Sequence, residues 1–434
     1  MREVSPNGSP VAFERHVAEK PFAEKLHVGN DPLTSSLLPT YARADLAFER
    51  GEGAWLVSTN GDRFLDFGCG VAVTALGHAH PHLVEALVDQ GQRLWHVSNL
   101  FQIRQAETLA RRLVEATFAD LVFFTNSGTE ALEGAVKTAR KYHYVSGHPE
   151  KIRIITLQGA FHGRSLAALA AGGNPKYLEG FEPRLDGFDQ VPFGDLEALR
   201  MAIGPRTGAI LVEPIQGEGG VRVVPQSHLE AMRRYCDEHG LLLIFDEVQT
   251  GVGRTGPLFA YQKTGVVPDI MMVAKGIGGG FPLGAFLVTR EAGKGMTLGS
   301  HGTTYGGNPL ATAVGNAVLD IVLSDGFLDH SMRMGGLLKE KLVELQGKHS
   351  EVIAEVRGEG LLLGLKLHVP IADFVAAALK EKIIIIPAAD NVVRLLPPLI
   401  INEAEIAEAL RRLDAAASHF MHSQKDMALR GAAG

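Results

Sequence analysis

The chain has 434 residues, 46% of them hydrophobic and 21% charged, which is the composition of a globular protein with room for two or three domains. Its formal net charge of -7 argues against nucleic acid as the main partner, and no apolar run reaches the roughly 18 residues of a membrane span. Cys69 and Cys236 are too few for a disulfide framework and form no metal-like spacing, and the first 30 residues lack the apolar stretch of a signal peptide. We therefore expect a cytoplasmic protein without a metal site.

Residues 1–76 contain one recognisable element, the segment GAWLVSTNGDRFLDF. Its Asn60-Gly61 dipeptide is typical of the tight turn between two antiparallel strands. We predict a hairpin here, and we expect the N-terminal segment to pack with a small domain formed by the end of the chain.

Residues 77–325 alternate between strand-like and helix-like segments. Apolar runs such as AILVEP, LLLIFDEV and DIMMVAK are separated by helical patterns such as SHLEAMRRYCDEHG. This alternation predicts a large α/β domain with a doubly wound, mainly parallel sheet. After Gly326 the pattern changes to a long helix, short strands and a last helix from about Glu403, which predicts a smaller α+β domain over residues 326–434.

The segment DLVFFTNSGTEALEGAVKTARKY combines a strand, a turn of small residues and a helix with apolar positions at 131, 132, 135, 136 and 139. Ser127, Gly128 and Thr129 therefore lie at a helix N-terminus, where free N–H groups and the helix dipole favour a phosphate. Serine and threonine are also ordinary helix caps, so this turn alone leaves both interpretations open.

In LLLIFDEVQTG, an apolar strand leads directly into Asp246, which places an acid at the carboxyl end of a central strand. A buried carboxylate needs a cation beside it, although a surface position is also possible. The following GVGRTG has the glycine pattern of dinucleotide-binding proteins, but only Pro257 and a short segment follow it, whereas that fold needs a long crossover helix. A nicotinamide-dependent oxidoreductase is therefore the weaker alternative.

Lys275 ends the apolar run VPDIMMVAK and is followed by glycines. A lysine at a strand end often only extends its ammonium group to water. The alternative is a lysine at the carboxyl edge of a parallel sheet, where α/β proteins bind ligands. A lysine for a covalent imine, an acid for a ring nitrogen and a helix N-terminus for a phosphate together predict pyridoxal 5'-phosphate (PLP) as the cofactor.

A series of motifs from about Leu38 to the last helix resembles the class III, ornithine-type, PLP-dependent aminotransferases. The motifs are GHAHP, LWHVSNLF, NSGTEA, GAFHGRS, VEPIQGEGG, FDEVQTGVGRTG, AKGIGGGFPLGA, HGTTYGGNP and VVRLLPP. The resemblance implies the fold type I architecture, with a large PLP-binding domain and a smaller α+β domain. A catalytically silent binding protein is disfavoured, because Lys275, Asp246 and Arg394 are all present.

The resemblance implies a role for each residue around the cofactor. Lys275 is expected to bind the cofactor covalently and to move the proton during amino transfer, and Asp246 to keep the pyridine nitrogen protonated. Gln249 is expected to hydrogen-bond the ring hydroxyl. Phe161 is expected to cover the ring face, although periodicity alone predicts an ordinary core aromatic. His162 is expected to pack or to form hydrogen bonds rather than to act as the general base.

The resemblance also implies a homodimer with shared sites. Ser127, Gly128 and Thr129 are expected to hold the phosphate within one subunit. Thr304 is expected to reach the same phosphate from the other subunit, because the loop SHGTTYGGNP is rich in glycine and small polar residues and is free to project.

Two substrates are expected to use the site in turn, an ω-amine donor and 2-oxoglutarate, which leaves as glutamate. The resemblance implies that Arg394 binds the α-carboxylate of glutamate and that Glu218 covers this arginine while the donor is bound. Arg164 is expected to bind the donor's α-carboxylate and the distal carboxylate of glutamate through its bidentate fork, and Thr303 to touch the donor. An ordinary ion pair between Glu218 and Arg394 is the structural alternative.

Two positions depart from the family pattern. Leu132 stands where the family has an asparagine, and Val71 stands where ornithine-using members tend to have a tyrosine. The missing tyrosine favours an acylated donor, so the resemblance implies transfer of the δ-amino group of N-acetylornithine to 2-oxoglutarate in arginine biosynthesis. Free ornithine, 4-aminobutyrate, succinylornithine and succinyl-diaminopimelate precursors are the alternative substrates.

Overall fold

The computed structural model describes residues 36–431, with side chains over residues 36–420. The chain divides into two units, Met1–Ala47 and Phe48–Gly434. Within the first unit, residues 36–47 contain bends and no helix or strand. The expectation that residues 1–76 pack with a small domain falls partly on residues 1–35, which lie outside the described residues.

The second unit begins with a hairpin. The elements of this region are β1 (Phe48–Glu52), β2 (Trp55–Ser58), β3 (Arg63–Asp66), α1 (Cys69–Ala72), α2 (Pro81–Gly91) and α3 (Arg104–Ala116). Strands β2 and β3 are antiparallel neighbours, and Gly61 between them has a φ of 83°, which a glycine adopts without strain. The hairpin predicted at Asn60-Gly61 is therefore confirmed.

Strands and helices alternate through the middle of the chain. They are β4 (Leu121–Thr125), α4 (Gly128–Val145), β5 (Arg153–Leu157), α5 (Leu166–Gly172), α6 (Pro175–Leu178), β6 (Phe188–Val191), α7 (Leu196–Ala202), β7 (Thr207–Val212), β8 (Ile215–Gln216), β9 (Arg222–Val223), α8 (Gln226–His239), β10 (Leu242–Asp246), α9 (Ala260–Thr264), β11 (Ile270–Val273), β12 (Gly284–Val288) and α10 (Pro309–Val322). The first helix after GVGRTG is the five-residue α9. This helix is too short to be the long crossover helix of a dinucleotide-binding fold, so that alternative does not fit the structure.

Seven of these strands form one sheet in the order β4-β12-β11-β10-β7-β5-β6. Strand β12 is antiparallel to both of its neighbours, and the other adjacent strands are parallel. The predicted doubly wound, mainly parallel sheet is confirmed. Strand β10, which ends in Asp246, lies in the middle of the sheet. Its neighbour β11 is the strand that leads to Lys275.

The large sheet is covered on both faces, because alternate residues of its central strands belong to different hydrophobic clusters. Ile244 and Met272 pack with helix α4 on one face, whereas Phe245 and Met271 pack with α8 and α10 on the other. All of these side chains are fully buried. The continuous apolar runs in the sequence have this cause, since a strand covered on both faces cannot alternate with polar residues.

The end of the chain forms a second sheet and three longer helices. Its elements are α11 (Phe327–Lys348), β13 (Ile353–Glu359), β14 (Leu362–Leu367), α12 (Ile371–Lys380), β15 (Ile383–Ile384), β16 (Ile386–Ala388), β17 (Val392–Leu395) and α13 (Glu403–Gly431). Strands β13, β14, β17 and β16 form one sheet, and β15 pairs with β3 of the hairpin. The predicted domain boundaries after residues 76 and 325 stay a prediction, which the pairing of β15 with β3 favours.

Taken singly, none of the helices within residues 36–431 has both the length and the apolarity of a membrane-crossing helix. The pair α10 and α11, bent by 72°, meets the two criteria only when both helices are taken together.

Gly134 offers a test of how helix α4 packs on the large sheet. A Cβ atom at this position would lie 2.1 Å from Cε1 of Phe286 on β12, so Gly134→Ala is expected to lower the free energy of unfolding by about 1 to 3 kcal/mol. The matched control is Gly336→Ala on α11, where the added Cβ meets nothing within 4 Å and helix propensity favours alanine. Urea unfolding at equal protein concentration measures both, and an unchanged Gly134→Ala protein would contradict this packing.

Candidate active site

A cavity of about 320 Å³ lies at the carboxyl ends of β10 and β11. Open α/β sheets bind their ligands at this edge, where the loops after the strands diverge. Lys275, Asp246, Gln249 and Phe161 line the cavity, together with the turn Ser127, Gly128 and Thr129. The sheet thus brings together one lysine, one acid, one aromatic ring and one helix N-terminus from four separate segments.

Lys275 lies two residues after the end of β11, and its backbone has a φ of 49°, a left-handed conformation that a lysine rarely adopts. Such strain is typical of functional sites, where the surrounding structure stabilises it. Burial of the amine, together with the positive charge of Arg394, lowers the pKa of Lys275 to about 8, although nearby carboxylates oppose the shift. The neutral, nucleophilic fraction of the amine near neutral pH is therefore far larger than in an ordinary lysine, although the protonated form still dominates below pH 8.

Asp246 is held by two hydrogen bonds. Its Oδ1 accepts the backbone N–H of Val248 at 3.0 Å, and its Oδ2 lies 2.7 Å from Nδ1 of His162. Burial alone would lower the pKa of His162, but the hydrogen bond and the charge of Asp246 raise it above its ordinary value. These contacts fix the orientation of the carboxylate at the cavity.

Glu213 is a buried acid that the sequence analysis did not single out. It lines the cavity, and its Oε2 accepts the backbone N–H of Phe161 at 3.1 Å. Burial raises the pKa of Glu213 to about 8. The available signal was an acid placed directly after the fully buried β7. Asp246 shows the same pattern, because it is an acid at the end of the buried strand β10.

The turn before α4 acts as a helix cap and also lines the cavity. The Ser127 hydroxyl accepts the backbone N–H of Glu130 at 3.3 Å, so Ser127 caps the helix. Gly128 has room only for a hydrogen, because a Cβ would lie 2.9 Å from Cγ1 of Val248. Gly128 and Thr129 thus place backbone at the positive end of an 18-residue helix, which is where an anion binds favourably.

Arg394 lies on β17 and is 1% exposed. Its Nη1 forms an ion pair with Oε1 of Glu218 at 2.7 Å and donates to Oε1 of Gln249 at 3.2 Å. Glu218 lines the cavity and Arg394 does not, so the carboxylate separates the guanidinium from the cavity. This arrangement can cover or uncover a positive charge by rotation of one side chain. Its role as a switch stays a prediction.

Three predicted substrate or cofactor residues lie away from the cavity lining. Arg164 is next to the cavity-lining Gly163, and its own side chain is exposed. Thr303 lines a second cavity, of about 640 Å³, along the edge strand β4. Thr304 is exposed on the same loop. One subunit therefore leaves these three predictions untested. Leu132, which stands where the family has an asparagine, is fully buried in the core between α4 and the sheet.

The residues around the cavity match PLP group by group. A lysine amine with a lowered pKa suits a carbonyl, a hydrogen-bonded carboxylate suits a ring nitrogen, and a helix N-terminus suits a phosphate. The strained Lys275 backbone and the sterically required Gly128 show that the chain is built for this geometry. Among the residues described, no group of three or more His, Cys, Asp or Glu side chains could hold a metal ion.

Residues 39–417 match the family model of the class-III aminotransferases. The chain belongs to this family of PLP-dependent enzymes. Among its relatives, the acetylornithine aminotransferase of Agrobacterium fabrum (strain C58) is 61% identical over 392 residues, which cover 90% of this chain and 98% of that protein.

Solved structures show the same fold. The ornithine aminotransferase of Toxoplasma gondii ME49 has a TM-score of 0.86 and 31% identity, with 89% of this chain and 94% of that chain covered. The N-acetylornithine aminotransferase of Stenotrophomonas maltophilia K279a has a TM-score of 0.78 and 37% identity, with 88% and 98% covered. The predicted family, fold class and cofactor are therefore confirmed.

The lowered pKa of Lys275 predicts an unusual pH dependence of its reactivity. Below pH 8 the amine is protonated and inert, and above pH 8 it is neutral and reactive. In the cofactor-free protein, labelling of Lys275 by trace dinitrofluorobenzene is expected to rise through about pH 8 and then level off. Lys341, whose pKa is raised by a hydrogen bond with Glu344, serves as the control and should react only at much higher pH. Peptide mass spectrometry across pH 6 to 11 measures both lysines, and coincident curves would contradict the assignment.

Proposed function

We propose that this enzyme transfers the δ-amino group of N-acetylornithine to 2-oxoglutarate, as a step of arginine biosynthesis. The observation that carries the proposal is the buried Arg394 behind Glu218, beside Lys275, because two chemically different substrates need a charge that can be covered. The 61% identical relative from Agrobacterium fabrum supports the acylated donor, and so does Val71 in the place of a tyrosine. We also propose a cytoplasmic location, which the free, buried Cys69 and Cys236 support.

Bound PLP supplies a carbonyl for the amino group and a ring that withdraws electrons. In the proposed site Lys275 would hold the cofactor covalently, and its amine would carry a proton to and from the amino-bearing carbon of the substrate. Its lowered pKa suits this exchange near neutral pH. Asp246 would hold the ring nitrogen, with its carboxylate oriented by His162.

The remaining contacts fix the cofactor's position. Gln249 would bind the ring hydroxyl, and Phe161 would cover the ring face, with its backbone held by Glu213. Ser127, Gly128 and Thr129 would bind the phosphate at the start of α4.

Substrate alternation is proposed to depend on Glu218. With the donor bound, Glu218 keeps Arg394 neutralised, and Arg164 takes the donor's α-carboxylate while Thr303 contacts the donor. With 2-oxoglutarate bound, Glu218 turns away, so that Arg394 takes the α-carboxylate and Arg164 the distal one.

A donor panel tests the proposed substrate. We expect kcat/KM for N-acetylornithine to exceed the values for ornithine and 4-aminobutyrate by at least about tenfold. Val71 stands where ornithine-using members tend to have a tyrosine, and 4-aminobutyrate is one carbon shorter and has no acylamino group. N-succinylornithine belongs in the same panel as a second acylated donor, which differs from N-acetylornithine only in its acyl group. Equal or faster reaction of free ornithine would contradict the proposal while leaving the PLP chemistry intact.

Glu218→Gln separates the switch from an ordinary ion pair. Removing the charge should leave Arg394 free to attract the donor's carboxylate in the wrong place. The donor half-reaction is expected to slow about 10- to 100-fold, while the 2-oxoglutarate half-reaction changes little. Single-turnover spectra of each half-reaction measure the difference, and equal slowing of both would make Glu218 a purely structural partner.

The proposed homodimer is supported by a cluster of exposed apolar side chains near Thr304. Trp95, Leu100, Phe101 and Tyr305 are each more than 60% exposed. The nearby strand β4 is an edge of the large sheet. Such surfaces normally lie against another chain.

A mixed dimer tests whether two subunits share each site. Thr304→Ala and Lys275→Ala homodimers should both be poorly active. A heterodimer should recover one good site, because the subunit with Lys275 intact receives Thr304 from the other. Its activity is expected to approach half of the wild-type value. Purified heterodimers without recovery would rule out the shared site.

A further inference from the structure

The guanidinium of Arg164 packs against two aromatic rings. Its Cζ is 4.0 Å from the centre of the Tyr177 ring and 5.7 Å from the centre of the Phe161 ring. The two rings meet edge to face, with centres 6.4 Å apart and planes at 85°. At the other end of the residue, the backbone N–H of Arg164 donates to the Thr129 hydroxyl at 3.1 Å. The side chain is therefore held at both ends beside the cavity.

Within the described part of the chain, the Arg164 guanidinium has no carboxylate partner and donates no hydrogen bond. Arg394 and Arg153, in contrast, have acidic partners at 2.7 Å and 2.6 Å. A ring contacts the face of a guanidinium and leaves the N–H groups along its edge free. Arg164 is thus restrained in position while its donors remain available for a carboxylate.

Tyr177 does not line the cavity, so it cannot contact the reacting atoms there. It belongs to the four-residue helix α6, which Asn174 begins by accepting the backbone N–H of Lys176 at 3.1 Å. Gly173 before it has a φ of 64°, and a Cβ there would lie 2.7 Å from Gln190. This turn places the Tyr177 ring over the Arg164 guanidinium.

We infer that Tyr177 is a positioning residue, which holds the Arg164 guanidinium at the cavity edge for the carboxylate of the acylated amino-acid donor. The inference rests on the proposed function, in which Arg164 binds that carboxylate. The aromatic face is the required feature, because the Tyr177 hydroxyl forms no hydrogen bond with the residues that the structure describes.

The test compares two donors that differ only in the carboxylate. N-acetylputrescine is N-acetylornithine without its α-carboxylate. Tyr177→Leu should raise the KM of N-acetylornithine about three- to tenfold with little change in kcat, and should leave kcat/KM for N-acetylputrescine unchanged. Tyr177→Phe keeps the ring and should behave as wild type. Calorimetric binding of N-acetylnorvaline, which lacks the reacting amine, should weaken by the same factor in Tyr177→Leu.

Arg164→Leu and the double variant identify which step fails. In the Arg164→Leu background, Tyr177→Leu should have no further effect on either donor. The preference is the ratio of kcat/KM for N-acetylornithine to kcat/KM for N-acetylputrescine. If Arg164→Leu leaves this ratio unchanged, then the proposed role of Arg164 is wrong and the inference is wrong with it. If Arg164→Leu removes the preference but Tyr177→Leu keeps it, only the inference is overturned. Equal losses with both donors in Tyr177→Leu would also overturn it, because Tyr177 would then be merely structural.

Discussion

The site depends on a negative charge held inside the protein, the Asp246 carboxylate at the end of the central strand β10. It is 5% exposed, and a carboxylate in that position is costly unless hydrogen bonds and a positive group compensate. His162 and the Val248 N–H supply the hydrogen bonds. In the proposed site a protonated ring nitrogen of PLP would supply the positive group, so binding of the cofactor would complete an interaction that the fold leaves open.

The large sheet sets the distance between that acid and Lys275. Strands β10 and β11 are parallel neighbours, and Asp246 pairs in register with Met272, three positions before Lys275. Both strands are locked in place because each face of the sheet is covered by a separate hydrophobic cluster. A shift of register by one residue would turn the apolar side chains and both functional groups to the wrong faces. Core packing therefore maintains the geometry of the chemistry.

Much of this could be predicted from the sequence, because it depends on local pattern. The strand before Asp246, the strand before Lys275 and the cap at Ser127 each lie within one continuous segment. The contact of Glu213 with Phe161 and the contact of Tyr177 with Arg164 could not be predicted, because each joins segments that only the folded chain brings together. Helix α12 was also missed in the smaller C-terminal region.

Thr303 and Thr304 show a different limit. Their positions on the exposed loop after β12 are compatible with the roles implied by the family resemblance, but those roles need a second subunit. Neither periodicity nor the fold of one chain can supply that partner. The turn of Ser127, Gly128 and Thr129, in contrast, could be predicted within one chain, because the helix cap and the cavity lining come from the same helix start.

Lys275 is proposed to be the residue to which the cofactor is covalently attached. Borohydride reduction of the cofactor-loaded enzyme, followed by proteolysis and mass spectrometry, tests it directly, because reduction turns a reversible attachment into a stable secondary amine. The account predicts a pyridoxyl group on the peptide that contains Lys275 and loss of that label in Lys275→Ala. A pyridoxyl group on a different lysine, with Lys275 unmodified, would contradict it.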